Sequence, residues 1–493
     1  QDEPLASGQN DALARPVPTS YEEPKKDAKL PAEAENKDEP SASGQNDALA
    51  RPVRTSYEEA IAGLKRNDPT LTSLDFSKLE IDDTKAMELA KALTTNTTLI
   101  SLDLGYNEIG PQGAKDLVEV LTKNTTLILL SFRHNNIGIV DLPEFSTMLQ
   151  QNKTLTSLDL AWNEINDESA KQLIYALATN NTLTSLNLGN NEIGDESAKD
   201  LAAVLEHNQV LKSLNLEGNH ITALGAQNLV EALTKNPTLK SLNLGSNKIH
   251  ADGAIALAAA LKENETLKSL GLCSNNSNNQ DGKELTKKNI TITELYLDYN
   301  QIESMGAMAL ANWLRTNTTL TLLDLCGNDI GADGAEALAG ALARNKKLAS
   351  VHLRSNRIGD NGAKELAKGL RENTALMSLD LEFNEIGDEG TKEVAAALGT
   401  STSLKSLDLS HNQISDDGAK ALAAALKVNT SLKSLYLWNR GIGEEGAKAL
   451  LDAINHNKTL IELVLPWDDI SETVKDDLKA ALERNANNAA IAP

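Results

Sequence analysis

Residues Leu99–Thr126 read LISLDLGYNEIGPQGAKDLVEVLTKNTT, and the block returns, edited but in register, to the end of the chain. A fixed period of this kind decides an architecture before any local propensity does. Its marker is the Asn of L-x-x-L-x-L-x-x-N-x-I, found at Asn107, Asn135, Asn163, Asn191, Asn219, Asn247 and Asn275, always 28 residues apart. Asn300 follows after only 25, and Asn328, Asn356, Asn384 and Asn412 restore the spacing of 28. Leu79, Arg440 and Asp468 hold the same place in degenerate copies, which makes about 15 repeats.

Inside each unit the apolar period switches from 2 to 3.6, as a strand followed by a helix requires. Leu102 and Leu104 alternate with Ser101, Asp103 and Gly105, so the strand points Leu inward. Ala114, Leu117 and Leu121 then share a helix face, with Lys115, Asp116 and Glu119 outside. A second Asn column (Asn96, Asn124, Asn152, Asn180, Asn208, Asn236, Asn264) falls where the helix must end. The expectation there is a left-handed stop, which Asn tolerates. The anchor Asn is expected to be buried beside the strand, its amide bridging backbone groups of neighbouring turns. Strands stack about 4.8 Å apart while helices need about 9 to 10 Å, so the helix side must be the outer arc. The expected fold is an α/β right-handed solenoid, a horseshoe with a parallel sheet on its concave side and helices on its convex side.

Such an array escapes the usual limit on the size of a single core, because each repeat packs only on its neighbours. No run of 18 apolar residues occurs, so no membrane span is expected. Of the formal charge of −23, residues 1–56 contribute −4 and the repeats −19. That surface repels nucleic acid and anionic lipid and favours a basic protein or peptide. Cys273 and Cys326 hold equivalent places two repeats apart, roughly 10 Å from each other, too far for a disulfide. Two free thiols point to the cytoplasm. A chain beginning at Gln1 without a methionine leaves a secreted or delivered origin as the alternative.

Residues 1–56 carry their own duplication: DEPLASGQNDALARPVPTSYEE (Asp2–Glu23) returns as DEPSASGQNDALARPVRTSYEE (Asp38–Glu59). Poor in large apolar groups, this arm is expected to be disordered. The repeat domain is expected over 57–485, with a cap helix at 57–71, a shortened repeat near 275–299 and a C-terminal cap at 463–485; 486–493 reads as a tail. The shortening falls between Leu285 and Asn289, and Trp313 in the next helix is expected to fill the space.

The unit L-x-x-L-x-L-x-x-N-x-I-G-D-x-G-A-x-x-L-A-x-x-L-x-x-N-x-x-L resembles the leucine-rich repeat of the ribonuclease-inhibitor type. The best copies are SLDLEFNEIGDEGTKEVAAALGTSTSL (Ser378–Leu404) and SLDLSHNQISDDGAKALAAALKVNTSL (Ser406–Leu432). The same type occurs in the sensor end of nucleotide-binding innate receptors, in the Ran GTPase-activating protein and in some bacterial effectors. The resemblance therefore implies a fold and, behind a non-enzymatic protein-binding scaffold, three alternatives. These are an inhibitor of a basic enzyme such as a ribonuclease, a GTPase activator resembling the Ran regulator, and a delivered bacterial effector.

Enzyme motifs are missing. No H-E-x-x-H, G-x-S-x-G or G-x-x-x-x-G-K-[ST] occurs, and neither a cofactor nor a metal is expected. The binding expectation rests instead on the columns six, four, two and one residue before the anchor, which should line the concave face. They hold eleven acids against Lys78, Arg133 and Arg354, and most of the exposed-type aromatics. Three clusters are expected to bind a partner: Tyr106, Arg133, His134 and Trp162; Tyr296, Asp298, Tyr299 and Asp324; and Tyr436, Trp438 and Trp467. Glu217, Asp380, Glu382, Phe383 and Asp408 complete the set. Aromatic anchors would supply affinity, and charge would steer encounter.

Overall fold

Each L-x-L triplet forms a strand of three residues, and the strands join edge to edge in the order of the chain. The computed structural model describes residues 56–138, 143–250, 257, 264–275 and 291–491. Among them runs one 15-stranded parallel sheet, β1 (Ser73–Asp75) to β15 (Glu462–Val464), each strand paired with its sequence neighbours. Register follows the repeat: Ser73 pairs with Ser101 and Ser101 with Leu129. At the shortened repeat Ser269 pairs with Glu294, so the lost residues do not disturb the sheet. The proposed site of the loss lies outside the described residues. Trp313, on the helix Glu303–Leu314, is buried.

Helices return the chain between strands and close the other side of each coil. In the founding repeat Leu99, Leu102, Leu104 and Ile109 are buried with Ala114, Leu117 and Leu121 of the helix Pro111–Leu121. The helix Tyr57–Lys65, capped by the Ser56 hydroxyl, covers the first coil. The last helix runs from Glu472 to Ile491. That corrects the expected tail from residue 486, which is helical to Ile491.

Two ladders of buried Asn hold the coils together. Asn107 Oδ1 accepts from the backbone N–H of Leu79 and Ile81, both at 3.0 Å, and Nδ2 donates to the carbonyls of Phe76 and Leu104, both at 2.9 Å. One side chain thus satisfies donors and acceptors in two adjacent coils. In the degenerate repeat the anchor is Asn439 and not Arg440. Asn439 Oδ1 accepts from Asn412 N at 2.6 Å and Nδ2 donates to Leu409 O, while Arg440 is exposed.

The second Asn column works differently from the expectation. Asn236, where its helix ends, has φ −79° and ψ 121°, which is extended backbone and not left-handed. Its Oδ1 accepts from Thr238 N and Leu239 N, and Nδ2 donates to the carbonyls of Leu205 and Asn208 in the preceding coil. The amide therefore ends the helix by hydrogen bonding, without the conformation that Gly would take.

A third inter-coil link lies where the strand side passes into the helix. Asp83 Oδ1 accepts from Gly110 N at 2.7 Å and Gly113 N at 2.9 Å of the next repeat. Asp388 does the same for Ser415 and Gly418. The fit is close at Gly113, where a Cβ would stand 2.7 Å from Asp83 Oδ1; in the link of Asp167 the same place holds Ser197, whose N–H donates from the longer distance of 3.2 Å.

Candidate interaction surface on the sheet

The residue before each anchor makes the last rung of the parallel ladder. Tyr106 N donates to Arg133 O at 2.8 Å, His134 N to Ala161 O at 2.8 Å, and Tyr299 N to Cys326 O at 2.7 Å. To make that bond and still turn off the sheet, the backbone enters the left-handed region. Here φ is +56° at Tyr106, +53° at His134, +59° at Trp162, +55° at Tyr299, and +53° at both Phe383 and His411. The same column elsewhere holds Asn190, Gly218 and Gly327, the residue types this conformation favours, and also Lys78, Ser246, Ser274 and Ser355. For a bulky side chain it costs about 1–2 kcal/mol. Rings sit in this column at that cost, and they remain exposed: Trp162 is 46%, Tyr299 54% and Phe383 42% accessible.

The column makes neighbours of rings 28 residues apart. Tyr106 stacks on His134 at 4.8 Å between centroids, and His134 stacks on Trp162 at 5.8 Å. Lys78 Nζ lies 5.4 Å from the Tyr106 centroid, at the other end of the stack. A later stack joins Phe383 and His411 at 4.3 Å, nearly parallel at 3°, with the Arg354 guanidinium 5.1 Å from the Phe383 centroid. Tyr299 leans over Gly327, whose absent Cβ would stand 2.4 Å from the ring.

Carboxylates fill the columns beside the rings. Those four before the anchor serve their own backbone first: Asp103, Asp159, Asp324, Asp380 and Asp408 each accept the N–H two residues on. Their second oxygens carry the electrostatics of the face. Burial, with Asp324 nearby, pushes the Asp298 carboxyl up to about 7. Burial also raises Glu382 to about 7, with Arg354 opposing and Asp408 and Asp380 adding to the rise. Burial pushes Asp159, Asp380 and Asp408 upward too. Asp324 is the exception: burial works against it, yet the hydrogen bond from His352 (Nδ1 to Oδ2, 3.1 Å) holds it below the usual carboxylate range. The same bond raises His352.

Ser350 Oγ lies 3.1 Å from the other nitrogen of His352, so Ser350, His352 and Asp324 stand in the order of a hydrolytic relay. The amides around the hydroxyl are engaged, however. Ser350 N donates to Thr321 O and Leu353 N to Asp380 O, so neither of these two amides is free to stabilise an oxyanion. Cys273 and Cys326 are free, and burial pushes both thiols up, away from the thiolate. Asp380, Glu382 and Asp408 bring carboxylate oxygens within 4.8 Å of one another, among the described residues the one triple spaced for a cation. Arg354 Nη1 already lies 2.8 Å from Glu382.

Of the expected clusters, Tyr106, His134 and Trp162 come together as one stack, with Arg133 on the adjoining backbone. Tyr296 pairs in register with Asp324, and Asp298 and Tyr299 follow it on the same coil. The last cluster is looser than expected. Tyr436 donates its hydroxyl to Glu462 at 2.7 Å, and Trp467 packs against the core in a short turn of 3₁₀ helix, a correction to its place as a free ring. Glu217 accepts from the Asn243 amide. Arg354, His352 and His411 lay outside the expected set. Their shared columns were the signal for them, because each stands one or two repeats from a residue already chosen.

Leucine-rich-repeat models match the chain at eight segments, 95–118, 151–173, 235–258, 288–311, 316–339, 344–367, 372–395 and 400–423. A leucine-rich domain model of the tropomodulin and leiomodin kind matches 169–239. The chain is a leucine-rich-repeat protein; neither match singles out the ribonuclease-inhibitor type. No curated protein matches. Among solved structures, the yeast Rad7 and Elc1 complex is similar at 18% identity over 79% of this chain and 90% of that one, with a TM-score of 0.49. An internalin from Listeria monocytogenes is similar at 18% over 72% and 88%, with a TM-score of 0.41. The leiomodin-1 actin-binding site 2 aligns at 20% over 32% and 91%, with a TM-score of 0.30. None of these similarities is close enough to carry a function across. No described helix is long and apolar enough to cross a membrane.

Proposed function

We propose that this protein is a non-enzymatic interaction scaffold that holds a basic protein or peptide on the acidic, aromatic-studded face of its sheet. One observation carries the reading: exposed rings occupy left-handed backbone positions that small or polar residues, Gly, Asn, Ser and Lys, fill elsewhere in the same column. Strain of that size persists where something compensates it. Stacking compensates part, and a partner seated on the rings would recover more by covering them. The flanking carboxylates, raised by burial, make a cation the favoured neighbour.

The test is capture of partners from the native source on the immobilised full chain, at low and high salt. Wild type should retain a basic protein that Tyr106→Ala/Trp162→Ala loses, with retention weakened at high salt. Equal capture by wild type and the double variant would sink the reading.

A further inference from the structure

The late ring stack already holds a guanidinium. Arg354 Nη1 pairs with Glu382 Oε2 at 2.8 Å, and its Cζ lies 5.1 Å from the centre of the Phe383 ring. Phe383 is in turn stacked face to face on His411. Carboxylate below and aromatic face beside are the two contacts that a planar guanidinium uses and that an ammonium matches less well. The count of charges is uneven. Asp380, Glu382 and Asp408 converge within 4.8 Å, and Arg354 offsets one of them. His411 Nε2, 3.8 Å from Glu382, and His352, paired in register with Asp380, are the other basic groups at hand. Phe383 remains 42% exposed, and with His411 stacked on its ring and Arg354 lying over it, an incoming guanidinium reaches the ring face by displacing Arg354.

From this geometry we infer that the sheet face at Phe383, Glu382, Asp380 and Asp408 is a seat for an arginine side chain of a partner protein, with Arg354 as the internal group that the incoming guanidinium supplements or displaces. The inference rests on the docking reading above and sharpens it, since that reading asks only for positive charge. Burial raises the carboxyls of Glu382 and Asp408, and for Glu382 the neighbouring Asp408 and Asp380 add to the rise while Arg354 opposes it. Charge complementarity names the occupant's sign, and the ring stack names its shape.

Fluorescein-labelled octa-arginine and octa-lysine, titrated into the full chain by fluorescence anisotropy at matched salt, separate the two claims. Octa-arginine should bind about fivefold more tightly than octa-lysine, the size of one cation–π contact on a protein surface. Phe383→Leu should remove that preference and leave octa-lysine where it was, and His411→Gln should reduce it by weakening the support of the ring. Arg354→Ala should tighten octa-arginine about threefold by vacating the ring and Glu382. Tyr175→Leu, on the helix Asp167–Leu177, is the control for a ring elsewhere on the surface. Equal affinity for both peptides, unmoved by Phe383→Leu, would overturn the arginine seat while leaving the acidic docking face standing. Binding of neither peptide would remove both. Displacement of octa-arginine by calcium chloride at constant ionic strength would assign the carboxylate triangle to a metal ion and overturn the seat.

Discussion

Two ring stacks occupy one column of the sheet, and their surroundings set them apart. In Tyr106–His134–Trp162 the rings meet Lys78 at one end, and Arg133 belongs to the same face. In Phe383–His411 the rings meet Arg354 amid Asp380, Glu382 and Asp408. Backbone strain is the same in both, since φ lies between +53° and +59° at all five rings. What differs is the local excess of negative charge. A strained ring stack by itself offers apolar area; a stack set among clustered carboxylates also selects the charge and shape of what covers it.

Both stacks stand on one framework of buried Asn ladders, and breaking it gives the largest effect. Asn107→Ala and Asn384→Ala each strip a buried amide of its inter-coil bonds. Each should cost about 3 kcal/mol in urea denaturation, the two losses agreeing within about 1 kcal/mol. A large loss at one and none at the other would mean the halves are not mechanically equivalent.

Partner binding should then divide by salt. Tyr106→Ala/Trp162→Ala is expected to weaken capture about tenfold at low and high salt alike, because buried ring area is little screened. Asp380→Asn/Asp408→Asn should weaken it by a similar factor at low salt and much less at high salt. Identical salt responses would erase the distinction between the two stacks.

A smaller effect follows from the raised carboxyls. Folded Asp298 and Glu382 keep their protons to about 7, whereas the unfolded chain releases them from 3.8 and 4.5. Folding thus takes up protons between those values. Their contribution to stability is fully present below the unfolded values and lost as pH rises through about 7. Asp298→Asn should accordingly raise Tm by about 2 °C at pH 8 and leave it unchanged near pH 4. An equal gain at both values would show that charge is not the cause.

The smallest change is expected where the strained column already holds a small residue. Ser246→Gly relieves left-handed strain, φ being +50° there, but loosens the unfolded chain. The two should nearly cancel, within about 0.5 kcal/mol by thermal melting. A stabilisation well above that would mean the column is more strained than its dihedrals imply.

Much of this molecule is legible in one dimension. The 28-residue period, the inward Leu of each triplet and the buried anchor Asn follow from which residue types recur, because every coil repeats the same local environment. The candidate columns follow too, since strand alternation alone decides which positions leave the core. Legibility fails where one coil departs from the rule. Arg440 keeps the count of 28, yet Asn439 takes the anchor's bonds, because an amide that can pair with two backbones outweighs a matching number.

Sequence by itself determined the repeating frame and the identity of the side chains offered on each column. Tertiary structure alone decided how those side chains meet across coils. It stacked Tyr106 on His134, set Arg354 between Phe383 and Glu382, bound His352 to Asp324 and raised Glu382 by burying it. The reason is physical: a column position is a property of one coil, whereas lean, contact and desolvation depend on the coil next to it, 28 residues away in the chain and one strand away in space.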